Sequence, residues 1–213
     1  SGASLGGIAL THAHIGHYTG LLFFGKESLG ARKINVYSMP KMSFFLENNG
    51  PWSQLIQEKN IIINELKNDS IQTLSKYISI KPILVPHRDE FSETVGYLIK
   101  GDAKSALFLP DIDKWEKWDK KIEDLVRNVD YAFIDGTFYN DKEIPHRNMN
   151  EIPHPFVVET LERLKNLKKK HKKKVYFIHL NHTNPLLKPN NIITKEIIKR
   201  GYNIARTGMK FDL

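Results

Sequence analysis

An α/β sandwich is the fold class that the sequence predicts, and three observations predict it. Short apolar runs of strand length alternate with stretches of helical periodicity along most of the chain. Two of the runs, residues 94–100 and 105–109, flank Gly101-Asp102 as the arms of a hairpin do, so the sheet structure cannot be purely parallel. Residues with metal-binding chemistry recur immediately after apolar runs: His12 and His14 after Ile8-Ala9-Leu10, His87 after Val85-Pro86, Asp111 after Leu109-Pro110, Asp135 after Ile134, His179 after Ile178. Strand ends fix the backbone, so side chains placed there can converge on one rigid edge.

Taken in order, residues 7–11 read as a short buried strand and 17–25 as a helix. Residues 34–39 read as a strand, and Pro40 opens a helix at its favoured first position that stops near Asn48-Asn49-Gly50. Residues 61–66 and 79–85 are strands, followed by the hairpin. Residues 115–129 predict one amphipathic helix with Trp115, Trp118, Ile122, Leu125, Val126 and Val129 on its apolar face. Then come a strand at 131–134, a helix at 155–169, a strand at 175–180 and a helix at 194–200, with no internal repeat. Residues 1–7 have neither the charged nor the apolar segment of a secretory signal and read as a scar or linker. Residues 8–213 are then one domain. The compartment is cytoplasmic by default, with room for a targeting segment upstream of Ser1.

The 213 residues carry 32 Lys+Arg against 24 Asp+Glu, with 9 His and no Cys. The absence of cysteine excludes disulfides and thiolate zinc sites, so a transition metal here must be held by imidazole and carboxylate. No apolar run approaches the roughly 18 residues that a membrane-spanning helix needs. Most of the net charge of +8 comes from residues 165–174, which hold seven Lys and no acid. That block reads as the solvated end of the preceding helix, where Lys complements the negative end of the macrodipole. No aromatic residues are interleaved with it, which disfavours a nucleic-acid interface. A homo-oligomer is left open.

In His12-Ala13-His14 the two imidazoles share a strand face, and His17 follows where the chain enters a helix. A single histidine is more often structural than a ligand; the joint pattern carries the inference. THAHIGH resembles the H-x-H-x-D-H signature of the metallo-β-lactamase superfamily. Five segments in order, THAHIGHYTGL, VPHRDEFSETVGY, LFLPDID, FIDGTFY and IHLNHTNPLL, resemble the group related to the pyrroloquinoline quinone biosynthesis protein B, which is close to the phosphodiesterases of this fold. The likeness runs from about Ile8 to the end, where residues 207–211 resemble a terminal strand.

The resemblance implies a metallo-β-lactamase-like αββα sandwich with one or two ions at the edge where the sheets meet. Carried over by motif, His12, His14 and His87 hold the first metal, His17 and His179 the second, and Asp111 bridges both. Imidazole and carboxylate suit zinc first, with manganese or iron also accommodated. The implied activity is that of a metal-dependent hydrolase using metal-activated water, with a phosphodiester or another small molecule as substrate. Asp111 takes part in activating water, and His182 or His154 assists the leaving group. Two departures mark this chain: Gly16 stands where the signature has Asp, and only a stub precedes the first motif where the superfamily usually has additional strands, so either upstream residues are missing or the first sheet is incomplete. His154 is a candidate replacement for the missing acid. Asp135 is a candidate acceptor for a ligand's imidazole N–H. Arg88, Asp89 and Glu90 suggest an ion-pair network or a substrate contact, and Trp52, Trp115 and Trp118 suggest core packing. The alternatives are a non-catalytic accessory protein of the same group with a single metal, an iron-dependent oxygenase, and a nucleic-acid binder acting through the Lys block.

Overall fold

A computed structural model describes residues 5–146 and 148–213. The chain divides into two compact units, one comprising the residues up to Ser70 with Asp89–Val95, the other Ile71–Arg88 with Gly96–Leu213.

The first unit is built on a parallel sheet of three strands, β1 (Gly7–Ala9), β2 (Ile34–Ser38) and β3 (Ile61–Glu65), in that order. Helix α1 (Ile15–Tyr18) runs into a 3₁₀ turn at Thr19–Phe24, two residues earlier and more tightly wound than the periodicity predicts. Helix α2 (Pro40–Asn48) begins with Pro40 at its first turn, where a missing N–H costs nothing, and Glu93 accepts the Lys41 N–H at 3.0 Å. Helix α3 (Trp52–Gln57) is too short for its apolar spacing to repeat, and the sequence pattern does not reveal it. Leu10, Tyr18, Leu21, Val36, Met42, Leu46 and Ile61 pack together as this unit's core.

The second unit carries a seven-stranded mixed sheet: β4 (Gln72–Thr73), β5 (Ser79–Leu84), β6 (Val95–Lys100), β7 (Ser105–Leu109), β8 (Tyr131–Asp135), β9 (Val175–Ile178) and β10 (Asn203–Ile204). Their spatial order is β10-β9-β8-β7-β6-β5-β4. β6 and β7 are antiparallel as the hairpin signal requires, and Gly101 donates its N–H to Lys104 O at 2.8 Å in the turn. β7, β8, β9 and β10 run parallel, with Leu109 opposite Ile134 and Asp135 opposite Ile178. Parallel strands end on one edge, so the residues that follow β7, close β8 and follow β9 are brought side by side.

Helices α4 (Ile122–Asn128), α5 (Val157–Arg163), α6 (Lys169–Lys172) and α7 (Ile192–Lys199) accompany this sheet. Leu107, Ile134, Val157, Leu161, Val175, Phe177 and Ile197 belong to its core. Phe177 is fully buried at the centre of β9; Phe177→Ala is expected to destabilise the fold by about 3–5 kcal/mol, read as a lower urea midpoint with unchanged slope.

Three sequence expectations need correction. The helix expected over 115–129 is broken into a 3₁₀ turn at Trp115–Lys117 and α4, with Trp118 extended between them. Both indoles are buried and need acceptors: Trp115 Nε1 donates to Thr160 Oγ1 and Trp118 Nε1 to Leu84 O, each at 2.9 Å, and these bonds set the backbone. The helix expected over 155–169 ends at Arg163, and the Lys block forms the separate single turn α6; stacking like charges three and four apart disfavours a continuous helix there. Residues 207–211 form a turn and coil rather than a terminal strand. Phe211 instead packs edge-on against Tyr131, Phe133 and Tyr176, with ring centroids 4.8–5.1 Å apart. No helix among the described residues is long and apolar enough to cross a membrane.

Candidate metal centre

In the first unit β1 leads into the histidine motif, and its imidazoles cluster. His12 is buried, its ring centroid 4.5 Å from that of His14 and 4.3 Å from that of His17. His12 Nε2 and His14 Nδ1 are 2.9 Å apart, while Thr11 Oγ1 lies 3.1 Å from His12 Nδ1. His14 Nε2 donates to Glu90 Oε2 at 3.0 Å, and a carboxylate that only accepts leaves His14 Nδ1 as the lone-pair nitrogen. The segment carrying Glu90 is itself tied down. Ser92 Oγ accepts the Ala13 N–H at 2.8 Å and donates to Glu93 O, and Thr94 Oγ1 donates to Asp89 Oδ1 at 2.8 Å. Burial pushes the Asp89 carboxyl above its usual range, only partly offset by the Thr94 hydroxyl. Glu90→Ala is expected to weaken metal binding about tenfold by freeing the His14 ring, measured by chelator competition.

Gly16 is in the middle of α1, and a Cβ built there meets nothing within 4 Å. The missing acid is therefore not excluded by crowding in this unit.

In the second unit the convergence is at the edge where the parallel strands end. Asp111, after β7, has a side chain only 2% exposed. Around it stand His87 with Nε2 at 3.9 Å, His154 with Nδ1 at 3.3 Å and His179 with Nε2 at 3.6 Å from its carboxylate oxygens. The Asp113 N–H, donated to Pro86 O at 2.7 Å, ties the loop of Asp111 to that of His87. His87, Asp111 and His154 have ligand atoms within 4.8 Å of one another, as do Asp135, His154 and His179.

Asp135, fully buried at the end of β8, organises this group. Its Oδ1 accepts from Thr137 N at 2.9 Å and Thr137 Oγ1 at 2.7 Å, and its Oδ2 from Ile112 N at 3.2 Å and His154 Nδ1 at 2.7 Å. The Thr137 hydroxyl has spent its one hydrogen on Asp135, so at 2.8 Å it accepts from His179 Nδ1. That fixes the tautomer of His179 and leaves a lone pair on Nε2, which faces Asp111 Oδ2. Two electron-rich groups facing each other fit a shared cation, and neutral imidazole with carboxylate suits zinc, manganese or iron.

Close packing makes this arrangement reproducible. A Cβ at Gly136 would come within 3.0 Å of Phe177 Cβ and 3.1 Å of Ile178 O, so glycine lets the turn after β8 lie against the end of β9. His179 itself has φ +59°, a left-handed conformation that L-residues adopt at a cost of about 1 kcal/mol. Asn184 clamps the turn from the other side, donating to Gly136 O at 2.8 Å. His154 is on a loop, but Phe138, Met149, Ile152 and Phe156 form a small buried cluster beneath that loop. Burial opposes protonation of His154, and the carboxylates of Asp135 and Asp111 outweigh it, so its pKa is raised.

Thus His12, His14 and His17 cluster in one unit, and His87, Asp111, His154 and His179 in the other. His182 is exposed in the turn after β9, and among the described residues it joins neither group. Asp135 accepts an imidazole N–H, that of His154, whereas His179 reaches it only through the Thr137 hydroxyl. Thr137 is the residue that sequence reasoning missed; its only signal was its place two residues after Asp135, where Asp-Gly suggested no more than a strand end. The contact between Glu90 and His14 was foreshadowed only as part of a charged run.

A mixed α/β fold with histidine and carboxylate gathered at strand ends defines a metallo-β-lactamase-type protein. Residues 1–180 match the Beta-lactamase superfamily domain, and the chain belongs to that superfamily. Coenzyme PQQ synthesis protein B of Methylobacillus flagellatus is 25% identical over 97% of this chain and 73% of its own length. Among solved structures, Zn(2+)-bound PqqB from Methylobacterium extorquens matches with a TM-score of 0.78 at 17% identity, over 97% of this chain and 71% of that one. The short form of human tRNase Z matches with a TM-score of 0.63 at 14% identity, over 98% and 80%. These structural likenesses show the fold, one that metal-dependent hydrolases share.

Proposed function

We propose that the protein is a metal-dependent hydrolase that cleaves a phosphodiester, with zinc as its metal. The observation that carries the reading is the pairing of His179 Nε2 with Asp111 Oδ2 at 3.6 Å, its tautomer set by Thr137. Following the superfamily motif, His12, His14 and His87 hold the first ion, His17 and His179 the second, and Asp111 serves both. When bound, the metal supplies a water of lowered pKa and a Lewis acid for the phosphoryl oxygen, so no protein nucleophile is needed.

The chain's own residues supply the rest. His154, with Nδ1 held by Asp135, keeps Nε2 for substrate and protonates the departing oxygen as the P–O bond breaks. Asp135 and Thr137 hold the two imidazoles in place and do not touch substrate. His182, exposed beside the turn, is a secondary candidate for the leaving-group role.

Gly16 favours a second reading: an accessory protein with one tightly held metal and no turnover. Elemental analysis of untagged protein supplied separately with zinc, manganese and iron, together with hydrolysis of bis(p-nitrophenyl) phosphate, tests both. Near two equivalents with turnover supports the hydrolase; one equivalent without turnover supports the accessory role. Iron retained with oxygen uptake points instead to oxygenation. Because a Cβ at position 16 meets no neighbour, Gly16→Asp is expected to raise the metal stoichiometry by up to one equivalent, measured the same way.

A further inference from the structure

The Lys block remains unexplained by a site at the ends of the parallel strands. Its residues meet the end of α4 at the opposite edge of the sheet. Arg127 and Val129 precede β8, and Lys174 precedes β9, so a strand of five residues, about 17 Å, separates them from Asp135.

There, Arg127, Asn166, Leu167, Lys168, Lys170 and His171 line a cavity of about 300 Å³. Four of the six are basic, and no acidic side chain lines it among the described residues. The wall is built rather than draped. Lys174 Nζ donates to Arg127 O at 3.0 Å and to Val129 O at 2.5 Å, and Lys172 Nζ to Lys165 O at 2.6 Å, pinning the segment to α4 and to itself. Two of the seven lysines thereby act as braces. Arg127 is shared with Asp124 and Lys165 with Glu162, while Lys168 and Lys170 remain at the cavity. His171 Nδ1 is buried and has no hydrogen-bond partner.

We propose that this cavity binds the phosphate group of a small phosphorylated ligand, seated among Arg127, Lys168, Lys170 and His171. The volume is at the lower end for ligand sites and suits one or two phosphoryl groups with little more. The imidazole of His171, a lining residue, adds a positive charge once protonated, and the other cations supply the field. The site is independent of the metal centre. His171 also reports on it. Burial and the charges of Lys174, Lys170, Arg127 and Lys168 hold its pKa below the usual imidazole value, and a bound anion reverses the electrostatic part.

The test is a proton NMR titration of the histidines of the intact protein with inorganic phosphate and with pyrophosphate, at constant ionic strength; His171→Gln assigns the resonance. A saturable shift of His171 is expected, with a rise in its pKa. Its apparent affinity should fall about tenfold or more in the double variant Lys168→Gln/Lys170→Gln, whose melting temperature should be that of the parent. A linear response equal to that with chloride overturns the proposal, as does an unchanged affinity in the double variant. An oligouridylate that binds at least tenfold more tightly than pyrophosphate, with steep salt dependence, overturns the small-ligand assignment in favour of a nucleic-acid surface.

Discussion

Asp111→Ala is expected to abolish metal retention and to lower turnover of a phosphodiester by about a thousandfold or more. Within its unit three imidazoles surround this one carboxylate, and the side chain is 2% exposed, so its loss removes the negative charge that those imidazoles face. Elemental analysis and turnover, measured on the same preparation, check both halves of the expectation. The melting temperature of the metal-free protein separates this effect from unfolding, and Asp111→Asn keeps the shape while removing the charge. Retention of metal by both variants would remove Asp111 from the ligand set.

His154→Gln is expected to lower kcat by about a hundredfold to ten-thousandfold on a substrate with an alkoxide leaving group. Metal content should be unchanged. The loss should shrink toward nothing with p-nitrophenolate as the leaving group, because that oxygen departs without a proton. A uniform loss across leaving groups would assign His154 to holding metal, as the replacement for the acid missing at position 16. The geometry gives Nδ1 to Asp135 at 2.7 Å, which favours proton transfer from the other nitrogen.

Much of the second unit was legible because its signals are local. The hairpin at Gly101-Asp102 and the apolar runs of β5 to β9 need only a few residues to announce themselves, and a side chain that follows such a run inherits its position. What escaped depends on partners distant in sequence. The break between Trp115–Lys117 and α4 comes from two indole N–H groups reaching Thr160 and Leu84, which no helical periodicity encodes. The single turn α6 reflects charge repulsion overriding a pattern that otherwise continues. β4 and β10 are two residues each, below the length at which alternation is detectable. At the site, the recurrence of histidine and carboxylate after apolar runs was readable, whereas the proton arrangement among Asp135, Thr137, His154 and His179 requires three dimensions.

That arrangement bears on how relatives of this chain should be compared. A valine at position 137 would have nearly the volume and shape of threonine, and every histidine and carboxylate of the cluster would still be present. Yet Asp135 would lose a donor, and His179 Nδ1 would lose the hydroxyl acceptor that sets its tautomer. Two proteins could then share fold, ligand inventory and packing while differing in chemistry, and the difference would reside in the location of hydrogens rather than of heavy atoms.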